Sequence, residues 1–186
     1  MQKLITSLRV FIVFTVLLGL IYPLFIMGIS NVIFPYQAGG SLIKRHDQVV
    51  GSTLIAQEFA SHKYFQSRFS AVNYDAANSG ASNLAPSSRK LIEQTEAHIK
   101  HVMVENEFSE NHRLPADMVL ESSSGLDPHI SLANAMLQLP RVVKHRGLST
   151  DKIRKLIYAN TNPDFIGIWG KEGVNVLQLN LALDEH

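Results

Sequence analysis

The chain has 186 residues, 46% of them hydrophobic, with 17 Lys+Arg against 16 Asp+Glu and no cysteine. Near-neutral charge offers no basic stripe to nucleic acid, and a chain without cysteine has no disulfide, zinc–thiolate site or thiol nucleophile. Its length fits one ordinary domain with an appendage.

The appendage comes first. From Val10 to Ile29 the sequence "VFIVFTVLLGLIYPLFIMGI" runs twenty residues without a charge, and as a helix it would cover roughly 30 Å, the thickness of a bilayer core. A cleaved signal peptide would have a shorter apolar region ending at a small-x-small site, yet here the run continues through Leu24, Phe25, Ile26 and Met27 with no Ala-x-Ala after it. Residues 10–30 are therefore expected to be a transmembrane helix. Pro23 within it is tolerable in a membrane when neighbouring helices or water satisfy the freed carbonyl. Lys3 and Arg9 precede the span, and the other flank is uncharged from Ser30 to Ile43. The positive-inside rule then places residues 1–9 in the cytoplasm and residues 31–186 outside as an extracytoplasmic domain. Setting Lys3 and Arg9 aside leaves that domain 15 Lys+Arg against 16 Asp+Glu.

After the span, Pro35 and Gly39-Gly40 mark the exit from the membrane, with Phe34 and Tyr36 suited to its interface. The short apolar runs "SLI" and "VVGSTLIAQ" flank "KRHDQ" and predict a hairpin. Ser61 to Ser88 is rich in Ser, Asn, Ala and Gly, but Tyr64, Phe65, Phe69, Tyr74 and Leu84 predict a loop pinned by aromatic and apolar anchors. Ser87 or Ser88 begins a helix whose buried face is expected to carry Leu91, Ile92, Thr95, Ile99, Val102 and Met103. "MVLES" reads as a short strand. Ser131 caps a helix from Leu132 to Arg146, kinked or interrupted at Pro140 and ended by Gly147; Ser149 caps the next, with Ile153, Leu156 and Ile157 inward. The closing "VNVLQLNLAL" alternates apolar and polar residues and predicts a strand. The fold class is mixed α+β, an extracytoplasmic domain behind one N-terminal transmembrane helix.

Two groups of residues raise the question of chemistry. His98 and His101 are three apart on the predicted helix, near enough to share a face, but a metal site needs further ligands that no spacing singles out. "SSSGLDPHIS", residues 122–131, gathers Ser124, Asp127 and His129, the ingredients of a hydrolase triad. The same residues have local backbone roles: Gly125 accepts an unusual backbone conformation, Asp127-Pro128 sets a turn, and Ser131 caps the helix that follows. A membrane-anchored hydrolase and an anchored ligand-binding module stand as alternatives to a structural role.

Several ordered blocks carry a resemblance: Tyr22-Pro23, "FPYQAGGSLI" at 34–43, "VGSTLIAQEF" at 50–59, "YFQSR" at 64–68, "SGASNLAPSS" at 79–88, "SGLDPHIS" at 124–131, "QLPRVVKHRGLS" at 138–149 and "VNVLQLNLALD" at 174–184. With them the chain resembles the KdpC subunits of the bacterial Kdp potassium-transporting P-type ATPases. The resemblance implies a single-pass inner-membrane accessory subunit with a periplasmic domain. Its partners would be membrane lipid, a potassium-conducting subunit and a separate subunit that hydrolyses ATP. It further implies a catalytic chaperone that raises ATP affinity, with Gln138 as the nucleotide-related residue; no cofactor of its own is expected, and ATP enters only through the complex. In keeping with this, the sequence has neither a "DKTG" phosphorylation motif nor a phosphate-binding G-x-x-x-x-G-K-[ST] loop. Ala56, Ala85 and Phe69 depart from the family pattern, which has Gly, Gly and Pro there, and the departures bear on local turn geometry.

Overall fold

A computed structural model describes residues 1–45, 47–109, 111–163 and 170–186. The chain divides into two compact units, Met1–Val50 and Gly51–His186.

The first unit opens with helix α1 (Gln2–Val16), passes through a π-helical turn (Leu17–Ile21) and continues as α2 (Tyr22–Ile33). The wide turn falls immediately before Pro23. That is where proline has no N–H to give and its ring would crowd the carbonyl four residues back, so a locally wider helix relieves both. Gln2–Ile33, 32 residues, is long and apolar enough to cross a membrane, and it contains the expected span of 10–30. None of its residues is buried within the chain, as suits a helix whose outer face meets lipid. Three of its polar side chains bond within the helix: Thr6, Thr15 and Asn31 each donate to the carbonyl four residues earlier, Gln2, Phe11 and Met27. Phe34 leaves helical geometry ahead of Pro35, which starts the short helix α3 (Pro35–Ala38). Strands β1 (Leu42–Arg45) and β2 (Gln48–Ser52) then pair as the expected hairpin; β1 and β2 each take residues from "KRHDQ", and β2 ends at Ser52, short of the expected run to Gln57.

The second unit holds helices α4 (Arg89–Glu105), α5 (Ala116–Val119), α6 (Leu132–Arg146), α7 (Thr150–Ala159) and α8 (Val176–Asp184). Strands β3 (His129–Ile130), β4 (Thr161–Asn162) and β5 (Gly173–Asn175) make a small antiparallel sheet ordered β3-β5-β4, so the last strand in sequence lies in the middle. Ile130 and Thr161 both pair with Val174, from opposite sides. The main core forms where α6, α7 and α8 meet this sheet, on Ala135, Val142, Ile153, Ile157, Val174 and Leu179, all fully buried, with Phe65 brought in from the long loop. A second cluster, Val102, Met118 and Val119, joins α4 to α5, and Phe69 packs against it.

Local signals explain the helix ends. Ser131 Oγ accepts from Asn134 N at 3.1 Å and starts α6. Gly147, with φ +67, ends it in the left-handed conformation that glycine reaches without strain, its N–H returning to Val143 O. Pro140 lies exposed within α6, and the helix runs through it uninterrupted. Ser149 caps α7 through Lys152 N.

Three expectations are corrected. Ile92 is half exposed, and the inward face of α4 carries His98 and Glu105 beside Val102. "MVLES" is not a strand: Ala116–Val119 form one helical turn after Pro115, its first-turn Asp117 held by Ser131 and Asn134. "VNVLQLNLAL" contributes only Val174 and Asn175 to a strand, then becomes α8. Asn175 caps that helix by accepting from Gln178 N, and Val176, Leu179, Asn180 and Leu183 form its buried stripe. A polar member of the stripe, Asn180, gives the helical face the look of an alternating strand.

Candidate functional site

Residues from the sequence blocks at 64–68, 138–149 and 174–184 converge on one irregular segment, His62–Gln66. Its backbone has no strand or helix partner and is held by side chains instead, as buried peptide groups must be. Asn180, 1% exposed, accepts from Phe65 N at 2.9 Å and donates to Phe65 O at 2.8 Å. Gln138, 3% exposed, does the same for the next residue, accepting from Gln66 N at 2.8 Å and donating to Gln66 O at 3.1 Å. Two amide side chains thus imitate neighbouring strands. Arg141 Nη1 donates to the carbonyls of His62 and Tyr64, and Arg146 Nε to that of Lys63. Tyr64 Oη and Arg146 Nη2 both donate to Asp184 at the end of α8.

Gln138 is fully used by this arrangement. Its oxygen also accepts from Arg141 Nη2 at 2.8 Å and its nitrogen also donates to Asn134 Oδ1 at 2.8 Å, so both lone pairs and both N–H groups are engaged inside the fold. Arg141 Nε donates to Asn106 Oδ1 at 2.9 Å, so four of the five N–H groups of its guanidinium are engaged. Burial lowers the Arg141 pKa and the nearby Glu105 carboxylate opposes the shift.

The stretch at residues 122–131 assembles no nucleophile. Ser124 Oγ accepts from Leu126 N and bonds Ser122 Oγ. His129 turns elsewhere: Asn162 Nδ2 donates to its Nε2 at 2.9 Å, and its Nδ1 stands 3.7 Å from Asp127. Asp127 Oδ1 accepts from His129 N at 3.0 Å, the bond of an Asx turn, and Arg68 Nη1 donates to its Oδ2 at 3.1 Å. Gly125 has φ +69, and a Cβ there would stand 2.5 Å from Val72 Cγ2 and 2.8 Å from Gly80 O. Pro128 is buried, and its carbonyl accepts from Val176 N. The hydroxyl-to-imidazole bond that a triad requires is missing.

Beside the clamp lies a cleft of about 700 Å³, lined among others by Glu58, His62, His98, His101, Glu105, Glu121 and Gln138. His98 Nδ1 lies 2.9 Å from Val119 O and its ring stacks on Phe69 at 3.8 Å between centroids, while His101 Nε2 approaches Glu105 at 3.1 Å. The two histidines therefore share a face of α4 but serve different partners. Among the described residues, no group of three or more His, Asp or Glu is placed to hold a metal ion. Phe69 is held by that stacking, and Ala56 is buried with its N–H on Leu126 O. Ala85 accepts from Ser88 N in the turn ahead of α4.

Sequence reasoning singles out Gln138 and Ser131 but misses Asn180, Arg141, Asn106 and Asp117. A signal exists in α6, where Asn134, Gln138 and Arg141 recur at i, i+4 and i+7 among apolar residues. Polar groups on a core-facing stripe call for buried partners.

One apolar helix of bilayer length and a small domain mixing helix with short sheet define a membrane-anchored α+β chain. The chain belongs to the KdpC family, described as the c chain of the K⁺-transporting ATPase, which matches residues 4–185. Its members are accessory subunits of that ATPase complex. The potassium-transporting ATPase KdpC subunit of Caldanaerobacter subterraneus is 46% identical over 179 residues, covering 96% of this chain and 93% of the relative. That of Rhodopseudomonas palustris is 45% identical over 192 residues, covering 96% and 94%. That of Mycobacterium bovis is 42% identical over 185 residues, covering 98% of each.

Proposed function

We propose that residues 10–30 anchor the chain beside the potassium-conducting subunit, with residues 1–9 in the cytoplasm and residues 31–186 on the periplasmic side of a bacterial inner membrane. From there it raises the ATP affinity of the hydrolysing subunit by favouring one conformation of the complex, without catalysis or nucleotide contact of its own. The charge asymmetry of Lys3 and Arg9 against the uncharged Ser30–Ile43 flank supports the orientation. A coupling free energy of about 1–3 kcal/mol is enough to change nucleotide affinity some 5- to 150-fold from a distance.

The observation that carries this reading is the saturation of Gln138. A nucleotide could engage it only by breaking bonds to Gln66, Asn134 or Arg141. The cleft next to it is also unsuited to phosphates, since its lining includes Glu58, Glu105 and Glu121 and neither Lys nor Arg. Gln138 is thus a positioning residue for the His62–Gln66 segment.

The test is steady-state ATP hydrolysis by the assembled complex, with melting of the domain followed in parallel. A complex lacking this chain has an ATP KM raised within the range of about 5- to 150-fold. Gln138→Ala in the assembled complex changes KM by less than about threefold while lowering the melting temperature of the domain. A KM raised more than about tenfold with the melting temperature unchanged would identify Gln138 as a nucleotide ligand and overturn the reading.

A further inference from the structure

We propose that the Leu18 carbonyl accepts a hydrogen bond from a hydroxyl or amide side chain on a membrane helix of another subunit, a donor that approaches over Gly19. This contact deepens the reading of residues 10–30 as a membrane span, on which it rests: it says where on the helix the neighbour meets it and by what chemistry.

A carbonyl in a regular α-helix receives the N–H four residues ahead, and in a π-helical turn the one five ahead. In the turn Leu17–Ile21, Tyr22 N–H reaches Leu17 O, the five-residue bond. At that spacing the donor opposite Gly19 is Leu24, and the donor opposite Leu18 is Pro23, which has no N–H. Leu18 O is therefore passed over: the N–H four residues ahead is spent on Leu17, and the one five ahead does not exist. No side chain nearby makes good the loss. Thr15 Oγ1 is committed to Phe11 O at 2.8 Å, and the only other side-chain donor between Phe14 and Ile26 is Tyr22, whose hydroxyl stands at the far end of an exposed ring.

Leu18 is near the middle of the span, about 3 Å from its centre along the helix axis. At that depth hydrocarbon has no donor to offer, so an unpaired carbonyl is costly until a protein group reaches it. Gly19 gives the access. The Leu18 carbonyl belongs to the Leu18–Gly19 peptide, Gly19 is exposed, and the position that its Cβ would take is open space. A polar side chain of a neighbour thus meets the backbone with no side chain of residue 19 in its path. Ser, Thr, Asn and Gln bond across membrane helices in this way. A charged donor is a poorer match, because one neutral carbonyl does not offset the cost of a charge at the bilayer centre.

The test is infrared spectroscopy of the full-length chain with a heavy-isotope label on the Leu18 carbonyl alone, since an amide carbonyl absorbs at lower wavenumber when it accepts a hydrogen bond. In phosphatidylcholine vesicles, with the protein dilute in lipid, the Leu18 band stands where a free carbonyl absorbs; in the assembled complex it moves to lower wavenumber. The same label at Val13, whose carbonyl accepts from Leu17 N–H, does not move. Pro23→Ala supplies the missing N–H, so its Leu18 band is low already in vesicles and the shift on assembly is lost. Gly19→Val keeps the free band in vesicles and loses the shift in the complex. If neither variant assembles, the wild-type comparison decides. A wild-type Leu18 band that is already low in dilute vesicles, that assembly leaves unmoved, or that falls when this chain alone is crowded in the vesicles overturns the proposal: the carbonyl is then served by water or its own helix, by nothing, or by a second copy. A Pro23→Ala band that stays with the wild type in vesicles, or a Gly19→Val band that shifts as the wild type does on assembly, also overturns it. Alkaline extraction of membranes holding this chain without its partners separates the two levels of failure. Release of the chain refutes the span and the contact together, whereas a retained chain whose Leu18 band does not shift on assembly refutes the contact alone.

Discussion

Asp127 shows how a residue that looks catalytic can be structural. Burial pushes its carboxyl pKa up, but the hydrogen bonds from His129 and the Arg68 guanidinium outweigh this and hold it below its ordinary value of 3.8. A carboxylate depressed in the folded state stabilises above its unfolded pKa, and that contribution is lost as pH falls through the folded value. The stabilising effect is therefore full near neutrality and fades below about pH 4. Melting of the purified chain and of Asp127→Asn between neutral and acid pH measures it: the wild type is more stable at pH 7, and the gap narrows as acid protonates Asp127. A gap that is constant across the range would mean that the ion pair with Arg68 contributes nothing that titrates.

At the scale of elements, side chains of α6 and α8 substitute for a missing strand. Replacing Asn180 by Leu keeps the shape of the stripe but leaves the Phe65 N–H and C=O without partners in the core, and should cost about 2 kcal/mol or more in urea unfolding. A loss under about 0.5 kcal/mol would show that the segment is held adequately by Gln138 and Arg141 alone. The same residues explain what the sequence can and cannot reveal. Helices α6 and α7 are readable because Ser131, Ser149 and Gly147 are local signals acting within a few residues, whereas Ser88 stands at the start of α4 without a side-chain capping bond. The clamp is not, since Asn180 and Phe65 are 115 positions apart and nothing local marks either as the other's partner. Helix α8 reads as a strand for the same reason: Asn180 belongs to the buried stripe only because Phe65 is there to receive it. The residues at 122–131 are legible as turn and cap, but their remote contacts, Asp117 with Ser131 and Asn162 with His129, are not.

At the scale of the whole molecule, an apolar N-terminal helix precedes a compact unit of 136 residues, Gly51–His186. The helix Gln2–Ile33 exposes its apolar side chains and turns Thr6, Thr15 and Asn31 back onto its own carbonyls, the form expected of a chain that lies in lipid or against other membrane helices. The domain carries a clamp built from the blocks by which the chain resembles its family. In the proposed orientation that domain sits across the membrane from ATP. The absence of native cysteine permits a direct measurement: place a single cysteine at the exposed Ser109 in the assembled complex and treat intact spheroplasts with a membrane-impermeant maleimide. A periplasmic domain is labelled without lysis, and this is the expected result. Labelling that appears only after lysis would put the domain on the cytoplasmic side with the nucleotide and contradict the proposed orientation.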